Sequence, residues 1–267
     1  MLVRRDQVVY VFSVRLKRLK IIFILFLGGT SAVALQYIQS ELASVSVLKS
    51  QYPVLQYRGP NELPEVKLTQ RRPVSWVVLP DVSLVAVGAV VVSEDWAFYQ
   101  HEGFDWNQIT EALKKDLKQG RFARGASTIT QQVIKNVFLG PEKTLLRKIK
   151  EFILAVSLDR AVSKNRILEV YLNIAEWGEG LYGIGPASFY YFGKSPSQLT
   201  AKEGAFLAML LPSPKRYSQS FRGRKLSEYA RETIESILDK MKQARYLTEE
   251  QLQDQLSQPL SFETLAP

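Results

Sequence analysis

The chain has 267 residues, 46% apolar and 23% charged, which excludes a disordered chain and allows one large or two small domains. The absence of cysteine and the presence of one histidine, His101, exclude disulfides, thiolate nucleophiles, thiolate metal sites and any site needing two histidines. The formal charge is +9, but residues 1–20 set six cations against Asp6, a local +5 that leaves +4 for the rest. No nucleic-acid partner is expected, whereas an anionic lipid surface or a phosphate-bearing substrate suits the balance.

Residues 1–20 are expected to form a cytoplasmic basic arm. Residues 21–38 are uncharged and mostly apolar, and with Leu19 they reach the roughly 20 residues a helix needs to cross a bilayer. The basic flank places the N-terminus in the cytoplasm and exports the remainder. A cleaved signal peptide is the alternative, with Ile21–Leu27 as its apolar core and Ala32-Val33-Ala34 as its cleavage site. Residues 39–80 look like a connecting region, because Pro53, Gly59-Pro60, Pro64, Pro73 and Pro80 recur too closely for long helices. Short strands such as Ser75–Leu79 fit there.

Residues 81–267 are expected to form one mostly helical domain. Leu84–Val92 is apolar and β-branched, so propensity favours a buried strand, with a buried helix as the alternative. Asp105–Leu117 places Ile109, Leu113 and Leu117 at four-residue steps and leads into a basic stretch to Arg124. Leu145, Ile149, Phe152, Ile153 and Val156 mark another amphipathic helix. Ser163 is an N-cap candidate, and Thr200…Glu203 and Thr248…Gln251 read as capping boxes. Pro212 and Pro214 stop the helix that begins near Thr200.

Four clusters interrupt this ordinary pattern. Glu94, Phe98 and His101 share one face if their segment is helical. Glu94 ends an apolar run, where partial desolvation raises a carboxylate toward the range of a general base. Ser127-Thr-Ile-Thr-Gln131-Gln132 packs three hydroxyls and two amides into six residues, with Lys135 one turn on. One cap explains one hydroxyl, whereas a sugar-binding wall explains the amides. Arg147, Lys148 and Lys150 surround Glu151, and three cations about one carboxylate suit a phosphate better than a helical ion pair. Lys164–Asn173 is mainly a core-facing helix, from which Glu169, Tyr171 and Asn173 stand out. Together these groups suit sugar chemistry on a phosphorylated donor. Ser46-x-x-Lys49 and Ser163-x-Asn165 imitate penicillin-binding motifs, but no third element follows and both are chance.

In order and spacing, the clusters resemble the motifs of the peptidoglycan glycosyltransferases, which polymerise lipid II. Glu94-Asp-x-x-Phe98-x-x-His101-x-Gly103, Arg124-Gly-Ala-Ser127 through Lys135-Asn136, Arg147-Lys148-x-x-Glu151 and Lys164 through Tyr171-Leu-Asn173 are similar to its first four motifs. Ala126 replaces a usual second glycine. The fifth-motif arginine has no clear match, since Thr233 and Ile234 occupy the positions before Ile237-Leu238 and Arg231 lies further off. No transpeptidase domain is expected, and Ile174–Gly178 and Leu211–Tyr217 look like the monofunctional branch.

The resemblance implies a mainly α, lysozyme-like domain preceded by one transmembrane helix, on the periplasmic side of a bacterial inner membrane. It implies Glu94 as the base at the acceptor 4-hydroxyl and attack on the anomeric carbon with inversion. Undecaprenyl pyrophosphate would leave. Lys135 and Arg147 would stabilise the pyrophosphate, and Lys148 would bind substrate. Glu151 would position cations or a divalent metal, Mg or Mn. Ser127, Gln131, Gln132 and Asn173 would bind substrate. The segment Asp105–Arg124 would lie on the membrane, and partners would include the growing glycan chain and wall-synthesis or division proteins. A muramidase would use two carboxylates without fixed cations, and a precursor-binding scaffold would use neither for turnover.

Overall fold

A computed structural model describes residues 36, 39–56, 64–106, 110, 127–142 and 144–264. The chain divides into two units between Ser44 and Val45. In the first, residues 39–44 are helical. The expected membrane segment and most of the Asp105–Arg124 segment lie outside the described residues. Among those described, no helix is long and apolar enough to cross a membrane.

The second unit is mainly helical. Its principal helices are α1 (Leu84–Glu94), α2 (Ile129–Phe138), α3 (Leu145–Ala161), α4 (Lys164–Ile174), α5 (Ile184–Phe192), α6 (Ala201–Leu210), α7 (Glu228–Gln243) and α8 (Glu249–Ser257). Two antiparallel hairpins accompany them, β1 (Tyr52–Gln56) with β2 (Glu65–Thr69) and β3 (Glu176–Gly178) with β4 (Leu181–Tyr182).

Most helix starts follow local chemistry. Thr128, Thr200 and Thr248 close capping boxes with Gln131, Glu203 and Gln251, and Thr144, Ser163 and Ser227 cap α3, α4 and α7. The run at Leu84–Val92 is a helix, not the strand its β-branched residues favour. Ala86 through Val92 are all buried, packed against α6 and α7. Small residues permit that approach. A Cβ added to Gly204 of α6 would stand 2.6 Å from the Ala86 Cα, and one at Gly88 would meet the Tyr246 ring at 2.6 Å. Tertiary packing therefore overrides intrinsic preference.

Residues 45–80, expected to be a connector, belong to the body from Val45 onward. Val45, Leu48 and Trp76 are buried. One face of α4 fastens this segment. Arg166 donates to the carbonyls of Leu48 (2.9 Å) and Gln51 (2.8 Å), and its guanidinium lies 4.6 Å from the Tyr52 ring centre. Glu169 accepts from the Trp76 indole N–H (2.9 Å) and the Leu79 N–H (3.1 Å). Ser75–Leu79 forms no strand. Asn173 takes the ladder's place, accepting from the Val77 N–H (2.9 Å) and donating to the Val77 carbonyl (2.8 Å).

Candidate active site

The end of α1, the start of α2 and the inner face of α4 converge at Glu94. The helix stops there, so Phe98 and His101 do not share a helical face with Glu94. Instead the backbone turns inward at Asp95, whose carboxylate is wholly buried. Asp95 accepts from the Ile129 N–H at 3.0 Å, placing negative charge at the N-terminus of α2. The same carboxylate faces the His101 Nε2 at 2.8 Å, and Phe98 is core. Adjacent acids thus do different work: Asp95 ties two elements together, and Glu94 is directed elsewhere.

Glu94 Oε2 accepts from the Gln132 amide at 2.8 Å and lies 3.5 Å from the Tyr171 hydroxyl, itself 3.3 Å from Gln132 Oε1. Burial raises the Glu94 pKa above the usual carboxylate value and Asp95 adds to this, while Gln132, Tyr171 and Lys135 pull it back. Burial, with Glu94 alongside, holds the Tyr171 phenol well above its ordinary range, so it stays a neutral donor. Tyr171 stood out in the sequence without a stated role; its place on the buried face of α4 masked it as core.

The second group is cationic. Glu151, 2% exposed on α3, accepts from Arg147 Nη1 at 2.9 Å and from the Lys148 ammonium. Lys148 also reaches Ser127 Oγ at 3.4 Å. Arg147 Nε is buried with no hydrogen-bond partner among the described residues, a donor left over after the ion pair. Lys135 has no ion-pair partner among the described residues. It is exposed as a residue, and partial desolvation lowers its pKa. Glu151 and Glu94 oppose this fall, and Lys148 and Arg147 add to it. Lys135 is therefore coupled to both carboxylates.

Two residues expected to contact substrate bond within the protein. Gln131 is 3% exposed, and its amide oxygen accepts from the Thr128 N–H at 3.0 Å in the capping box. The cap that accounted for one hydroxyl in fact consumes this amide too. Asn173 spends its amide on Val77 and on the Glu169 carbonyl (2.8 Å). In the fourth cluster Lys164 is likewise structural, paired to Asp159 at 2.7 Å and 4.7 Å from the Phe98 ring centre. The structure brings together Glu94, Gln132 and Tyr171, and beside them Lys135, Arg147, Lys148, Glu151 and Ser127.

Both Glu151 oxygens are taken by cations, and no three acidic or histidine side chains converge among the described residues. This donor set does not fit a metal held by Glu151; it fits a carboxylate that positions cations. A cleft of about 640 Å³ opens beside Lys135 and Asn136, walled by Glu65 and Val66 of β2 and by Glu176 and Tyr182 of the second hairpin.

The sequence profile of the family described as "Transglycosylase" matches residues 61–242. The chain is 44% identical over 168 residues to a biosynthetic peptidoglycan transglycosylase of Azoarcus sp. (strain BH72), spanning 63% of this chain and 72% of that protein. It is 36% identical over 201 residues to a protein of the same name from Janthinobacterium sp. (strain Marseille), spanning 75% and 82%. The namesake from Nitrobacter winogradskyi is 52% identical over 131 residues, 49% of this chain and 58% of the relative.

Proposed function

Because the chain belongs to the transglycosylase family, we propose that Glu94 and the Lys135–Arg147–Lys148 group are the base and the leaving-group clamp of glycan polymerisation. The protein is a peptidoglycan glycosyltransferase acting in the cell envelope, with lipid II and the growing glycan as substrates. The observation carrying the residue assignment is a half-buried carboxylate of raised pKa beside an ammonium that has no ion-pair partner among the described residues.

Glu94 accepts the proton of the acceptor sugar's 4-hydroxyl. That oxygen forms a β-1,4 bond to the donor's anomeric carbon from the face opposite the leaving group, so configuration inverts. The bond from that carbon to the phosphate oxygen breaks, and its electron pair leaves with undecaprenyl pyrophosphate. Lys135 and the partly exposed Arg147 guanidinium meet this charge as it develops. Gln132 and Tyr171 hold Glu94 in place, Glu151 fixes the Arg147 and Lys148 heads, and Ser127 borders the phosphate side. No step is routed through a metal. A hydrolytic muramidase needs a second acid to protonate a neutral leaving group, and Glu151, salt-bridged twice, does not suit that role.

The membrane reading rests on two features. One is the apolar sequence at residues 21–38. The other is an exposed stripe on α3, Leu145, Leu146, Ile149 and Ile153, beside exposed Trp106 and the Phe104–Phe152 ring pair at 4.4 Å. Such a stripe is unusual on a water-facing helix and fits insertion into the lipid that delivers the substrate. The deciding experiment incubates the full chain in detergent with labelled lipid II. Glycan polymer is expected. Cleavage of preformed glycan instead would establish the muramidase, and neither product would leave a scaffold.

A further inference from the structure

Residues 214–225 carry five cations and no acid. They form two one-turn helices, Pro214–Tyr217 and Gln219–Arg222, which with the start of α7 enclose a groove of about 550 Å³. Arg216, Lys225, Tyr217, Tyr229 and Gln219 line it, together with one acid, Glu228. The Tyr217 and Tyr229 rings stack with centres 5.1 Å apart and an interplanar angle of 26°, their hydroxyls 3.2 Å apart, and Tyr229 is 52% exposed.

The segment is fixed in shape. Lys215 bonds to Glu179 on the β3–β4 turn, and Arg222 donates to Ser218 Oγ at 2.8 Å and to the Lys215 carbonyl at 3.3 Å. Arg216 and Lys225 remain exposed at the groove. Lys215 and Arg222 serve the fold, whereas the exposed Arg216 and Lys225 at the groove add like charge that opposes compactness. A concave site with an exposed aromatic stack and two solvent-facing cations suits a ligand with apolar ring faces and carboxylates.

We propose that this groove is a second carbohydrate site that holds the glycan strand away from its reacting end. A pyranose ring presents its C–H face to the tyrosine stack, and carboxylates of the strand's peptide stems pair with Arg216 and Lys225. An anionic lipid surface would use the cations but give the stacked, concave tyrosines nothing to do. The proposal rests on the polymerase reading and adds retention to it. A strand held at a second site rebinds the reacting centre at high effective concentration, which lengthens products.

The test uses the full chain in detergent and three probes: labelled uncrosslinked strands with peptide stems, the same strands with stems removed, and phosphatidylglycerol vesicles. Arg216→Glu and Lys225→Glu should each weaken binding of stem-bearing strands about tenfold, the size of one lost charged contact. Stem removal should abolish that difference. Tyr229→Ala should weaken both kinds of strand. The first coupling of two lipid II molecules should proceed at the parent rate while products shorten. Equal strand binding by the parent and both charge variants overturns the proposal, as does loss of vesicle binding alone. The charge variants change exposed side chains, so a melting temperature equal to the parent's keeps the test valid even if Tyr229→Ala unfolds. Failure of the parent to polymerise lipid II would defeat the polymerase reading itself, whereas an active parent with indifferent charge variants defeats only the groove.

Discussion

Glu94 illustrates how one side chain trades stability for chemistry. Its folded pKa lies above its unfolded value, near 4.5, because burial disfavours the charged form. The folded state therefore binds the proton more tightly. The destabilising cost is absent below pH 4.5 and grows as pH rises through the folded pKa. Glu94→Gln should melt higher than the parent at pH 8, with the gap closing on acidification, while polymerisation falls about 10²- to 10⁴-fold. An equal or lower melting temperature at pH 8 would contradict the buried-charge account, and a near-parental rate would remove Glu94 as base. Gln132→Ala takes away a hydrogen bond that favours the carboxylate, so the acid limb of kcat/KM should move to higher pH. The cations separate differently. Lys135→Ala removes an exposed side chain and should cost about 3 kcal/mol of transition-state stabilisation with little change in melting. Arg147→Ala strips a buried carboxylate of one partner and should cost folding stability as well, about 3 kcal/mol or more. Arg147→Lys should restore only part, for want of the planar fork.

Among the elements, α2 is set by its first turn. Asp95 and the Thr128–Gln131 box satisfy N–H groups that the helix cannot satisfy itself. Gln131→Ala should therefore lower stability by about 1 kcal/mol and leave the rate per folded molecule unchanged. Urea titration beside a lipid II assay checks both halves, and a selective loss of activity would return Gln131 to the substrate wall. The α1–α6 contact gives the complementary case. Gly204→Leu drives a side chain into the backbone of α1 and should cost about 3 kcal/mol or more, displacing Glu94 by way of the helix that carries it.

For the whole molecule, the apolar stripe of α3 and the N-terminal segment make one joint expectation about the bilayer. A polarity-sensitive dye on Leu146→Cys in vesicle-reconstituted full chain should report an apolar setting, and the same dye on Glu250→Cys should report water. Identical readings would argue against insertion of α3. Mass analysis of membrane-extracted protein should find an N-terminus upstream of Ile21. A chain starting at Leu35 would show cleavage after Ala34 instead.

Helix caps, the amphipathic α3 and the order of the four clusters were legible in the residues alone, because capping and periodicity are local and the motifs occupy short spans. Glu94, Lys135 and the Arg147–Glu151 pair could be singled out for the same reason, since unusual chemistry at an element's edge is visible without coordinates. Packing decided the rest. A run of buried valines has no exposed face to betray its period, so only contact with α6 and α7 made Leu84–Val92 a helix. Two neighbouring acids and two neighbouring amides are equivalent on paper. Backbone direction at Asp95 and the first turn of α2 turned one of each into scaffold and left Glu94 and Gln132 hydrogen-bonded to each other. Asn173 bonds to Val77 and Tyr171 to Glu94, partners distant in the chain that nothing local encodes.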